Sequence, residues 1–451
     1  MSRRSVRIGV IGMVVLVVGL ATGFMLWRRN SDAAIKNAPA HPKRHSLADE
    51  QIKAAEAKLR RLPNHPDFYA ELATAFMHKA RESGDGAYYA RAEATCKKAL
   101  ELNSDNYSAL RLISWIYSGQ HRFREALDAA KRALAKDPQD PWNYGTLGDA
   151  LVELGEYRAA ADAFQKMVDF RPDASSYARA AYIHELYGDI EGAIQIMSMA
   201  VNATSSRDLE HNAWCRSQLG NLFLNAGRLS EAESQYMMAL RIFADYHYAL
   251  TGMGRVRAAQ KRFEEAIQFY KRSLEIVPTH EAAIALGDLF LYLGRGNEAR
   301  ESFALLDVIE KINRANKVQP ESSMALFYAD HDQNLDEALR IAEQQARERK
   351  DIRTMHALAW ALYKNGRYQE ALQASQQALR LGTKDALLYY HHGMIHTKLG
   401  HHKDAVAALQ RALEINPYFH PRYAEEARLT LAALGGTENA GRAESQVSWR
   451  R

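Results

Sequence analysis

The sequence predicts an all-α solenoid, a stack of two-helix hairpins preceded by a single transmembrane helix. Three observations predict it. Ala92, Ala126 and Ala160 lie 34 residues apart, as do Ala232 and Ala266, each within the same frame of apolar and small residues. A fixed period of this size marks a repeat array, whose units bury their apolar faces only on their neighbours. Within each unit the apolar residues recur at helical spacing, and one unbroken apolar run stands at the N-terminus. Composition agrees: of 451 residues, 47% are hydrophobic and 25% charged, the balance of a folded chain.

The first elements are read from charge and length. Residues 1–7 form a basic tail carrying Arg3, Arg4 and Arg7, and Ile8 to Trp27 is a run of apolar and small residues closed by Arg28 and Arg29. Twenty helical residues rise about 30 Å, enough to cross a bilayer core, so 8–27 reads as an uncleaved signal anchor. The rival reading is a cleaved signal peptide, whose small-x-small site would be the late Ala38-x-Ala40. Flanking charges nearly balance. The short basic tail favours a single-pass protein whose repeat domain is extracytoplasmic, in the periplasm. Residues 28–46, with Pro39 and Pro42, read as a flexible linker, and 47–65 as a helix leading into the array.

The array itself is expected over 66–435. In the unit from 107 to 140, Leu110, Ile113, Ser114 and Tyr117 form the stripe of a first helix. Ala126, Ala130 and Ala133 form the facing stripe of a second helix, and Pro138 ends it. The next unit repeats this with Tyr144, Leu147, Gly148 and Leu151, turns at Gly155, and continues with Ala160, Phe164, Met167 and Pro172. The small residue in the first helix and the alanine opening the second let the two backbones approach closely. Further units open near Ala174, Ala213, His247, His280, Ile352 and Ala386, and the one at 66 to 106 keeps Ala92 and Ala99. A degenerate tenth lies around Gln319 to Arg349, after an overlong helix at Glu298 to Ala315, and Thr204 to Asn212 is an insertion. Tyr423 to Leu434 reads as a closing helix and 436–451 as a disordered tail.

This pattern resembles the tetratricopeptide repeat family, through the shared spacing, turn glycines, alanines and terminal prolines. The resemblance implies a right-handed α–α superhelix whose first helices line a concave groove at the second, fifth, ninth and twelfth positions of each unit. Those positions hold Trp142, Trp214 and Tyr248 at the second, and Arg111, His356 and Tyr390 at the fifth. The ninth holds Trp115, Tyr182, Asn221, Arg255 and Trp360, the twelfth Tyr363, and Arg179 lies beside them. Four of the six tryptophans thus fall on groove positions, and aromatic and arginine side chains are those enriched at binding hot spots. The implied partners are peptide segments of other proteins, with the membrane contacted through 8–27. Some members clamp a C-terminal carboxylate with a lysine at the fifth position. Here Ser217 stands there, beside Asn221, so that mode is not expected.

Chemistry finds little support. His391, His392, His396, His401 and His402 cluster in the last full unit, with His392 and His396 one helical turn apart. Both lie on the core stripe, so packing accounts for them and no metal ligand is assigned. Gly252-x-Gly254 lacks the third glycine and the strand of a dinucleotide loop, and His184-Glu185 lacks the second histidine of a zinc protease motif. Cys96 and Cys215 fall several repeats apart and outside any Cys-x-x-Cys pair, so neither a disulfide nor a zinc knuckle is expected. The net charge of +5 is spread over mixed-sign helices, which disfavours nucleic acid. Asn106-Tyr107-Ser108 and Asn202-Ala203-Thr204 match a glycosylation sequon.

The expectation is therefore a non-catalytic, membrane-tethered scaffold that binds proteins through its groove without a cofactor. It is similar to bacterial envelope repeat proteins with an N-terminal anchor. An alternative is an accessory subunit of a polysaccharide-export or secretion machine that contacts glycan, with Asp149, Asn221 and Asp288 beside the aromatic rings. A remote alternative is a metal-dependent hydrolase built on the histidine cluster.

Overall fold

The computed structural model describes residues 46–316, 318 and 322–447, with side chains as far as residue 435. The basic tail, the anchor at 8–27 and nearly all of the 28–46 linker lie outside the described residues. Among the described residues, no helix is long and apolar enough to cross a membrane. The chain divides into two units, Met1–Glu50 and Gln51–Arg451. In the first, the Ser46 hydroxyl accepts from the Asp49 amide at 3.0 Å, capping the start of α1 (Leu47–Arg61).

All ordered elements among the described residues are helices. Ten hairpins follow α1: α2–α3 (Pro66–Ser83, Ala87–Leu102), α4–α5 (Tyr107–Gly119, Phe123–Lys136), α6–α7 (Pro141–Leu154, Tyr157–Phe170), α8–α9 (Ala174–Leu186, Ile190–Asn202) and α10–α11 (Leu209–Asn225, Leu229–Ile242). Then come α12–α13 (His247–Ala259, Phe263–Ile276), α14–α15 (His280–Tyr292, Gly296–Ala315), α16–α17 (Ser322–Asp330, Leu335–Glu348), α18–α19 (Ile352–Lys364, Tyr368–Ala378) and α20–α21 (Ala386–Lys398, His402–Ile415). A closing helix, α22, spans Pro421–Val447. Prolines stand in the first turns of α2 and α6, where no amide partner is lost. The side chains of Asp140, Asp173, Asp208, Asp351 and Asp385 cap first helices by accepting from their leading amides. Asn106 caps α4 in the same way and donates to Asp67 at 2.6 Å, so this sequon asparagine is buried.

Close helix approach explains the small residues of the repeat. A Cβ placed on Gly220 would lie 2.6 Å from the Tyr236 ring of α11, the second helix of its own hairpin. In the α4–α5 hairpin Ser114 takes this position and donates to the Ala126 carbonyl at 2.8 Å, so its polar atom is satisfied in the core. The alanine at each facing site (Ala126, Ala160, Ala232, Ala266) has no exposed surface.

Curvature follows from which helices touch. First helices of successive hairpins meet directly, as in α2–α4, α4–α6, α10–α12 and α12–α14, while no pair of second helices does so to that extent. The shorter side of a bent stack is its inside, so the first helices form the concave wall. The stack then closes on itself. The Ile352 amide donates to the Tyr157 hydroxyl at 2.7 Å, 195 residues away, and Arg349 pairs with Glu153 at 3.1 Å across 196. The Thr383 hydroxyl donates to the Leu186 carbonyl 197 residues away, and the Asn416 amide to the Leu224 carbonyl across 192. At 34 residues per unit this offset is about six hairpins, one superhelical turn seated on the next. Gly155 and Gly188, at φ +84 and +76, are required twice over. Each has a left-handed turn conformation, and each abuts backbone of the next turn, at Lys350 and Gly382 respectively.

Irregular units depart as their sequence suggests. α15 runs for 20 residues and α16 for only nine, and the turn between α16 and α17 places Asp332 and Asn334 at positive φ instead of a glycine. Backbone helix of α22 continues to Val447, within the segment expected as a tail.

Candidate functional site

Seven of the thirteen groove residues expected from sequence line one inner cavity of about 630 Å³: Trp115, Trp142, Arg179, Tyr182, Trp214, Asn221 and Arg255. They come from α4, α6, α8, α10 and α12, five first helices in succession. Arg81, Asp149, Glu153, Glu185, Asn225, Arg353 and Asp385 are among the residues that also line it. α18 supplies Arg353 because one superhelical turn lies against the next.

The aromatic side of the cavity is preassembled. The rings of Trp115 and Trp142 meet edge to face with centroids 5.3 Å apart, a favoured quadrupole arrangement. The Arg111 guanidinium lies 4.9 Å from the Trp142 ring centroid and pairs with Asp140 at 2.7 Å. Arg111 therefore backs the wall without lining the cavity. Arg81 approaches the Trp214 ring at 5.8 Å and pairs with Glu210 at 3.0 Å. Burial pushes the Tyr182 phenol up to about 12, so it stays protonated and able to donate.

Charge in the cavity is mixed and mostly spoken for. Arg179 forms a two-bond fork with Asp149, at 2.8 and 2.7 Å. Arg255 reaches Glu281 and Asn225, both at 3.4 Å. Burial raises the carboxyls of Glu153 and Glu185 above the ordinary range. Arg353 differs. It borders the main cavity and two smaller spaces of about 160 and 370 Å³, and makes no hydrogen bond or ion pair within 4.0 Å among the described residues. Its fork is available to an incoming acceptor. Sequence reading missed it, although Arg353 occupies the second position of its unit, the same place as Trp142 and Trp214.

The remaining groove candidates are placed elsewhere. Trp360 and Tyr390 have relative exposures of 2% and 1%, which removes them from any open surface. Trp360 stacks on His391 with centroids 3.6 Å apart and donates to Asp330 at 2.7 Å, where the Tyr423 hydroxyl of α22 also donates. Tyr390 stacks on Tyr423. His356 is buried against His391, with nitrogens 2.7 Å apart. The closing helix thus fills the concave side of the C-terminal hairpins with the protein's own side chains. Tyr248 is exposed beside His247 and does not border the cavity.

The acceptors expected for glycan are already engaged. Asp149 holds Arg179, Asn221 accepts from the Tyr236 hydroxyl at 2.6 Å, and Asp288 accepts from His331 at 2.7 Å. The histidines at the α20–α21 turn do not border the cavity. Both cysteines are free and buried, their thiols pushed up to about 12 by burial.

Stacked helical hairpins with an aromatic and arginine-lined inner wall define an α-helical repeat solenoid. Family models for the tetratricopeptide repeat match residues 117–182 and 217–281, and one for subunit 3 of the anaphase-promoting complex, or cyclosome, matches 331–412. The chain thus carries tetratricopeptide repeats over 117–182 and 217–281. It is 23% identical over 399 residues to a TPR repeat-containing protein of Methanocaldococcus jannaschii, covering 82% of this chain and 68% of that one. It is 22% identical over 243 residues to subunit 3 of the anaphase-promoting complex of Schizosaccharomyces pombe, covering 52% of this chain. The match spans about a third, 34%, of that subunit's length. Among solved structures, the anaphase-promoting complex hetero-tetramer Cut9–Hcn1 is similar at 15% identity and a TM-score of 0.38, covering 86% of this chain and 94% of that one.

Proposed function

We propose that this chain is a membrane-tethered, non-catalytic scaffold that holds a peptide segment of a partner protein in its inner cavity. The observation that carries the reading is the convergence of Trp115, Trp142 and Trp214 with the unpaired Arg353 on one space. Rings offer area at low entropic cost, and a guanidinium with open donors fixes a carboxylate by two parallel bonds. Because the wall is held by Arg179–Asp149 and the turn-on-turn contacts, little is lost in ordering it when a peptide arrives. Residues 8–27 would anchor the array to a bilayer, with the repeats on the extracytoplasmic side. The engaged state of Asp149, Asn221 and Asp288 favours peptide over glycan.

Affinity capture with the full chain, solubilised from membranes, tests this. Trp214→Ala and Arg353→Met should each reduce recovery of the captured protein at least tenfold, while the convex-face substitution Arg132→Ala leaves it unchanged. Equal recovery from all three variants contradicts the proposal.

A further inference from the structure

We propose that His396, His401 and Asp404 form a binding site for a divalent transition-metal ion of the zinc type at the turn of the last hairpin. His396 closes α20, Gly400 reverses the chain at φ +73, His401 precedes α21, and Asp404 stands in its first turn. The Nδ1 atoms of His396 and His401 face each other at 3.1 Å, and a carboxylate oxygen of Asp404 lies within 4.8 Å of both ligand atoms. Two imidazole nitrogens on one tetrahedral zinc, each at 2.0–2.1 Å, sit about 3.3 Å apart. The backbone has therefore set the pair near the spacing of shared ligands.

A chain of polar contacts stands behind His396. Ser375 Oγ lies 3.0 Å from the Leu372 carbonyl and 2.8 Å from His392 Nδ1, and His392 Nε2 lies 3.1 Å from His396 Nε2. With its Nε2 committed to His392, His396 turns its Nδ1 to His401. Such an outer contact on the far nitrogen is how proteins orient a ligating histidine. Metal binding needs both rings with their proton on Nε2, so that both Nδ1 atoms offer lone pairs. His401 and Asp404 are exposed, so the ion reaches the site from solvent and keeps a position for water or a partner's donor. The helical spacing of His392 and His396 suggests a ligand pair, but the geometry makes His392 a positioning residue.

Titration of the untagged full chain with zinc chloride, followed calorimetrically, should show one saturable equivalent. Cobalt substitution should give the intense visible bands of a four-coordinate ion. His401→Ala and Asp404→Asn, both at exposed positions, should abolish that equivalent without lowering the melting temperature of the metal-free protein. His392→Phe should retain the stoichiometry and weaken binding 10- to 100-fold. His402→Ala, an exposed neighbour outside the set, should bind as the parent does. Absence of a saturable equivalent overturns the proposal, as does its survival in both His401→Ala and Asp404→Asn.

Discussion

The side-chain amide of Asn416 donates to the main-chain carbonyl of Leu224 at 2.9 Å, joining residues 192 positions apart. Both partners are buried, so the bond is made where water does not compete. With Tyr157–Ile352 and Leu186–Thr383 it seats one superhelical turn on the next, and that closure turns an open groove into a walled cavity.

The closure predicts unequal costs for chemically identical substitutions. Gly188 and Gly366 share φ +76, so alanine at either pays the left-handed penalty of about 1–2 kcal/mol. A Cβ at Gly188 also collides with the Gly382 carbonyl of the next turn, whereas at Gly366 it meets nothing within 4 Å. Thermal melts should place Gly188→Ala below Gly366→Ala. Equal melting temperatures would mean that the turns are not in contact.

Hairpin packing predicts a local sensitivity. The Tyr236 ring is wedged between Gly220 of its own hairpin and Gly252 of the following one. Gly220→Val forces that ring off its rotamer or the helices apart, a cost of about 1–3 kcal/mol from overpacking. Chemical denaturation should show this loss, and Gly220→Val combined with Tyr236→Leu should recover part of it.

Acid should unfold the array through histidines buried in the neutral form. Burial lowers His247 and His356 to about 4, below the ordinary value near 6.5. The unfolded chain therefore binds these protons first. The stability each group contributes is complete above about pH 6.5 and is lost as pH falls toward 4. Each contributes a slope of up to about 1.4 kcal/mol per pH unit. His331 runs the other way. Although burial lowers it, its bond to Asp288 leaves it raised, and its contribution is complete below the unfolded value and fades as pH rises through the folded one. Denaturation series from pH 7 to 4 should lose stability steadily, and His356→Phe should flatten the slope by about one proton.

Much of the fold was legible in the sequence because the repeat encodes local packing. Ala126 and Ser114, or Gly220 and Tyr236, meet within one hairpin, so a 34-residue period reports their contact directly. The turn-on-turn offset was not legible. Its contacts run between a turn glycine and a loop about six units later, and no period marks them. That blind spot explains why Arg353 went unassigned: only superhelical closure brings α18 to a cavity built by α4 to α12. Trp360 and Tyr390 were placed on the groove by position alone. The rule assumes an empty concave side, which here is filled by Tyr423 of the closing helix. The histidine cluster was visible, but its pairing depends on the turn at Gly400, which brings His401 round to His396.

Photo-crosslinking tests the central claim most directly. A benzophenone amino acid at Tyr182, inside the cavity, should trap a partner protein from native membranes, and the same group at Arg132 on a second helix should trap none. Trapping from position 132 but not from 182 would contradict a binding site on the inner wall.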